Sequence, residues 1–109
     1  MNEIKSPKDL VIGEEYFLTW VRDYKCRKVI FLGLIQEQNI SPEIYFLELR
    51  GKKLYGTNIP YLQEIGIGCT CKEANANYGK FKGDINEIAH YSSQNEAIEA
   101  SKHIIAKYP

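Results

Sequence analysis

Cys69-Thr70-Cys71 sets two thiols one residue apart where a helix begins. The positive end of a helix dipole lowers a thiol pKa, so such a pair suggests redox chemistry or, with Cys26 and a histidine, a metal site. The spacing argues against metal, because zinc-ligating cysteines are usually about two to four residues apart. There is no second pair. Cys71 falls on the apolar side of its helix, where a small buried thiol is the simpler reading. No metal and no cofactor are expected.

The other chemistry-bearing residues give no catalytic constellation. His103 falls on the polar side of a C-terminal helix and reads as solvated. His90, between Ala89 and Tyr91, reads as half-buried. Neither has a Ser or Cys nucleophile with a third orienting group, so no triad forms. Glu14 and Glu15 alternate across a strand, and Glu96 and Glu99 sit on an exposed helix face. Gly66 and Gly68 precede a helix but lack the third glycine of a dinucleotide loop and the lysine of a phosphate loop. The chain is expected not to be an enzyme.

Basic residues and aromatics are better clustered. Arg22, Lys25, Arg27 and Lys28 surround Tyr24, and Arg50, Lys52 and Lys53 precede Tyr55. Two such turns at one end of a barrel form a positive patch with stacking rings, which suits nucleic acid. Trp20, Tyr24, Tyr55 and Tyr61 are also the residue types that dominate protein interfaces, provided they are exposed.

The whole composition weighs between these. Lys and Arg number 14, as do Asp and Glu, so the formal charge is zero, which disfavours a polybasic binder. Residues 20–56 hold seven of the basic residues against four acids, so the excess is local. The 109 residues predict one domain, 1–109, with a single core. No apolar run approaches the ~20 residues that span a bilayer, so no membrane association is expected. Residues 1–5 lack the apolar stretch of a signal peptide, and three cysteines are an odd number. Both point to the reducing cytoplasm and away from a full disulfide framework.

The elements that position these groups follow from pattern. Ser6-Pro7-Lys8-Asp9 reads as a capped helical turn ended by Gly13. Residues 15–21, 43–49 and 53–57 read as strands. Residues 28–35 are too continuously apolar for a half-solvated strand, so they predict a central strand buried on both faces, with a bulge or bend at Gly33. Asn39-Ile40-Ser41-Pro42 and Arg50-Gly51-Lys52 are turns, the latter with Gly at positive φ. Residues 61–68 predict a short fifth strand. Thr70 and Glu73 form a capping box for a helix whose apolar face is Cys71, Ala74, Tyr78 and Phe81, stopping at Gly83. Residues 85–91 read as weakly extended. Ser93 and Glu96 form a second capping box, and Ala97, Ile98, Ser101, Ile104, Ile105 and Tyr108 make one amphipathic stripe. The expected core is Tyr16, Leu18, Val29, Phe31, Leu34, Tyr45, Leu47, Leu54, Ile98, Ile104 and Ile105.

Two resemblances accompany this reading. Ile12-Gly13-Glu14-Glu15-Tyr16, Lys28-Val29-Ile30-Phe31-Leu32-Gly33, Tyr45-Phe46 and Gly51-Lys52-Lys53-Leu54 resemble a small Src-homology-type barrel over residues 12–58. The aromatic and acidic pattern of its proline-peptide-binding members has no counterpart here, so that activity is not implied. Ile59-Pro60-Tyr61-Leu62, Gly66-Ile67-Gly68-Cys69-Thr70 and Glu73-Ala74 are similar to the strand–loop–helix segment of HicB-like antitoxins, residues 59–74.

The chain is thus expected to be α+β: a small antiparallel sheet or barrel of about four to five strands, then a short helix, then an amphipathic helix packed on the sheet. Its expected role is a non-catalytic protein-binding module of the inhibitor, antitoxin, immunity or phage anti-defence kind. The alternative is a nucleic-acid-binding barrel using turns 22–28 and 50–53.

Overall fold

A computed structural model describes residues 4, 6–23, 25–83 and 85–108. It is an α+β arrangement built around β2 (Cys26–Ile35), whose side chains are all buried from Val29 onward. The uninterrupted run Val29-Ile30-Phe31-Leu32 has no polar residue to turn toward water, so both faces of β2 need cover. β1 (Glu15–Trp20) and β3 (Glu43–Glu48) flank it antiparallel, β4 (Lys53–Asn58) pairs with β3, and β5 (Ile65–Gly68) returns to β1. The order is β4-β3-β2-β1-β5, and the two-residue β6 (His90–Tyr91) runs parallel to β2 at Leu34 and Ile35. The register slips between Phe31 and Gly33, and Gly33 has φ +117°. This is the bulge expected there, and only glycine takes that backbone easily.

Each face of the sheet carries its own core. Tyr16, Leu18, Val29, Phe31, Ile44, Phe46, Ile65 and Ile67 share one face with Leu62, Phe81 and Ile88. Ile30, Leu32 and Leu47 share the other with Ile104 of α2 (Gln94–Ile105), flanked by half-buried Tyr45, Leu54, Ile105 and Tyr108. α2 starts as its capping box predicts: the Ser93 hydroxyl accepts the Glu96 N–H at 3.2 Å. The Glu96 carboxylate accepts from the Ser92 N–H and hydroxyl at 2.9 and 2.7 Å, which holds it below the usual carboxylate range. The expected stripe faces the sheet, although Ile98 and Ile105, like Tyr45 and Leu54, are half-buried rather than fully enclosed.

The structure corrects the expected elements in four places. Residues Ile59–Glu64 form a 3-10 helix, so the fifth strand is only Ile65–Gly68. Pro60 lacks the N–H a ladder needs and favours a helical φ. α1 (Cys71–Ala76) stops well before Gly83, because Asn77 is buried and its side-chain amide donates to the Ile67 carbonyl at 3.1 Å. Ser6 opens the 3-10 turn Pro7–Asp9 with its backbone carbonyl, which accepts the Asp9 N–H, and makes no side-chain cap. Residues 85–91 divide into a 3-10 turn, Ile85–Glu87, and β6.

Ile65 and Ile67 point into the first core, so Gly66 and Gly68 take the opposite face, where α1 lies directly on the backbone. A Cβ on Gly66 would overlap the Ala74 carbonyl and stand 3.0 Å from Cα of Tyr78. Gly66→Ala is expected to lower stability by about 1–3 kcal/mol in urea unfolding, the usual cost of overpacking. Unchanged stability would contradict this seating of α1.

Tyr45 covers Gly56 across the β3–β4 pair, and its hydroxyl donates to Glu43 Oε2 at 2.6 Å. Burial first, then Glu43, pushes its phenol up to about 12 from 10.0. A raised folded-state value means the folded chain holds this proton more tightly. The resulting stability is complete below the ordinary phenol range and is lost as pH rises toward about 12. In an ultraviolet phenolate titration, Tyr45→Phe is expected to remove a late-ionising step. A variant whose titration differs only by an ordinary phenol would contradict the assignment.

Candidate binding groove

The β1–β2 and β3–β4 turns lie at the same end of the sheet, because Thr19 pairs with Cys26, Val29 with Glu48, and Glu48 with Lys53. Cys26 and Arg27 extend past the last β2–β3 pair, so they have β1 on one side only. Asp23 organises this hairpin. Its carboxylate accepts from both terminal nitrogens of Arg27, at 3.2 Å for Nη1, and from the Lys25 N–H at 3.1 Å. The Arg27 bond is the main reason that Asp23 sits below the usual carboxylate range and Arg27 above its own. Gly51 and Lys52, with φ +83° and +51°, close the second turn and deliver β4.

Neighbouring strands are ~4.8 Å apart, so in a flat sheet Trp20 on β1 and Tyr55 on β4, three spacings apart and out of register, would stand more than about 14 Å apart. Their ring centroids are 5.5 Å apart, edge to face at 72°. The sheet therefore curls until its ends nearly meet. Arg27 stands 5.4 Å from the Tyr55 ring centroid and the Lys53 ammonium 5.5 Å from it. The Tyr55 hydroxyl donates to Glu48 Oε2 at 2.8 Å, which is the leading cause of its raised pKa.

The curl does not close. β4 pairs only with β3, and among the described residues no other strand takes its outer edge. A groove of about 500 Å³ follows this seam. β4 forms one wall, with Lys53, Tyr55, Thr57 and Asn58. Trp20, Arg22, Asp23 and Arg27 of the hairpin, with Tyr61 and Glu64 of the 3-10 helix, form the opposite side. Arg22, Arg27 and Lys53 line it together with Asp23, Glu43 and Glu64, so the groove is balanced in charge.

Six of the residues picked out by type, Trp20, Arg22, Arg27, Lys53, Tyr55 and Tyr61, meet in this groove. Lys25 is exposed on the hairpin, and Arg50 and Lys52 are exposed on the second turn, outside the groove. Lys28 pairs with Glu15 at 3.3 Å. Tyr24 lies outside the described residues. Exposure was expected of all these aromatics. Trp20 and Tyr55 are instead half-buried, because they pack against the first core and each other, and among the described ones only Tyr61, 51% accessible, is freely presented. The acids Asp23, Glu43 and Glu64 were not anticipated. Asp23 had a local signal, four residues before Arg27, whereas Glu43 and Glu64 reach the seam only through the fold.

The thiols need the largest correction. Cys71 is not a buried free thiol: it forms a disulfide with Cys26, with Cα atoms 5.7 Å apart, and both residues are half-buried. Cys69 is free and exposed. Among the described residues no three His, Cys, Asp or Glu side chains cluster to hold a metal. His103 is exposed, and so is His90, which lies on the edge strand β6 opposite Leu34 of β2. The two glycines before α1 admit a helix backbone rather than an anion. Among the described residues, no helix is long and apolar enough to cross a membrane. No protein-family model, curated protein or solved structure matches the chain.

Proposed function

We propose that the chain is a non-catalytic protein-binding module that receives an extended segment of its partner along β4. The observation that carries this reading is the groove itself: aromatic side chains and balanced charge lie beside an unpaired strand edge. An added strand satisfies the outward N–H and C=O groups of β4, and side chains on either side give selectivity. Balanced charge suits a polypeptide with both signs better than a polyanion. An inhibitor, antitoxin, immunity or anti-defence protein needs no more than such a surface. The disulfide favours an oxidising surrounding over the reducing cytoplasm for the state described.

The second reading is nucleic acid, favoured by the meeting of both basic turns at one end of the sheet. Arg22, Lys25, Arg50, Lys52 and Lys53 are exposed there. This reading requires affinity that falls steeply with salt.

Peptides selected from a random displayed library on the oxidised protein separate the two. They are expected to bind with little salt dependence, and Tyr61→Ala is expected to weaken them about tenfold or more with the unfolding midpoint unchanged. Failure to select any peptide, or binding indifferent to Tyr61→Ala and Lys53→Glu, contradicts the groove. Single-stranded oligonucleotides that bind steeply with salt, and are lost when Lys25, Arg27 and Lys28 become Glu, favour the second reading.

A further inference from the structure

We infer that the Cys26–Cys71 bridge is a redox switch on the groove: oxidation holds the hairpin that forms one wall, and reduction releases it. The inference rests on the groove being the binding site, but its evidence is separate.

Cys26 opens β2 and pairs only with Thr19, the last rung of the β1–β2 hairpin. Its neighbour Arg27 stands over Tyr55 and holds Asp23. Residues 26–28 are half-buried or exposed, and β3 does not reach Cys26 or Arg27. Among the described residues, the other ties of the hairpin tip are chiefly Val21 N–H to the Glu64 carbonyl at 3.0 Å, the Asp23 contacts, and the contacts of Trp20 and Arg27 with Tyr55. The bridge is thus the one covalent tie at the base of this wall. Its other end, Cys71, begins α1, which lies flat on Gly66 and Gly68. The bridge joins residues 45 apart, so α1 anchors the hairpin from a distant part of the chain. The first core holds Val29 and Phe31 without it. Cutting the bridge therefore loosens the hairpin and leaves the sheet.

A dithiol supplies the chemistry. One thiolate attacks a sulfur of the bridge, forming a mixed disulfide and expelling the other cysteine as thiolate. The second thiol of the reductant then attacks the mixed disulfide and closes its own ring. Two electrons pass to the protein, and protons from the reductant or solvent leave Cys26 and Cys71 as thiols. Cys26 and Cys71 are both half-buried residues, neither of them enclosed in the core.

Trp20 is the only tryptophan and lies in the groove, so its fluorescence reports on this wall directly. The test compares the oxidised protein with the same protein reduced in place by dithiothreitol, and with Cys26→Ser/Cys71→Ser. On reduction, acrylamide quenching of Trp20 is expected to rise about twofold or more, and amides of residues 20–27 to exchange ~tenfold or more faster, with Val29–Ile35 unchanged. Cys69→Ser is expected to leave the oxidised protein as it is. Unaltered quenching and exchange would overturn the inference. So would exchange that accelerates equally throughout the sheet, including the case in which reduction unfolds the chain. Peptide binding to the oxidised protein tests the groove independently, so failure of one is not mistaken for failure of the other.

Discussion

Everything in this structure follows from a strand with no polar side. β2 carries seven consecutive buried positions, and each large apolar side chain there gains ~1.5–3 kcal/mol from leaving water. That gain requires cover above and below. α2 supplies it on one face, and the 3-10 segments with Phe81 and Ile88 supply it on the other. The bulge at Gly33 lets β2 pair with β1 and then β6 on one side while remaining paired with β3 on the other.

Covering the first face bends the sheet, and the bend makes the groove. Trp20 and Tyr55 come from strands separated by two others, yet they touch. The seam beside them stays open because β5 has only four residues and is committed to β1. Charged residues at this end pair across the hairpin or stand over Tyr55 instead of extending the ladder. The same geometry that finishes the core thus leaves one strand edge and one polar slot available.

Local signals were legible in the sequence, and meetings between distant segments were not. Both capping boxes, the α2 stripe, the two-sided β2, the Gly33 bulge and the positive φ at Gly51 follow from residue type and near neighbours. The 3-10 helix at 59–64 was obscured because Tyr61-Leu62 and Ile65-Gly66-Ile67 read as one apolar stretch, although Pro60 marked its start. Phe46, Phe81 and Ile67 were absent from the expected core because their burial comes from packing with residues distant in sequence. The disulfide was hidden for a physical reason: an odd cysteine count gives no pairing, and Cys26 meets Cys71 only once α1 has folded onto β5. The groove was half legible, since its cations and aromatics stood out by type, while Glu43 and Glu64 became partners through the fold alone.

The central claim is that the sheet curls far enough to bring β1 against β4 and form the groove. Nuclear Overhauser contacts in the oxidised protein test it most directly. The account predicts cross-peaks between the Trp20 indole and the Tyr55 ring, and upfield ring-current shifts of Arg27 side-chain protons over Tyr55. Trp20 contacts confined to β2 and β5, with Arg27 protons at ordinary shifts, would mean a flatter sheet and no groove.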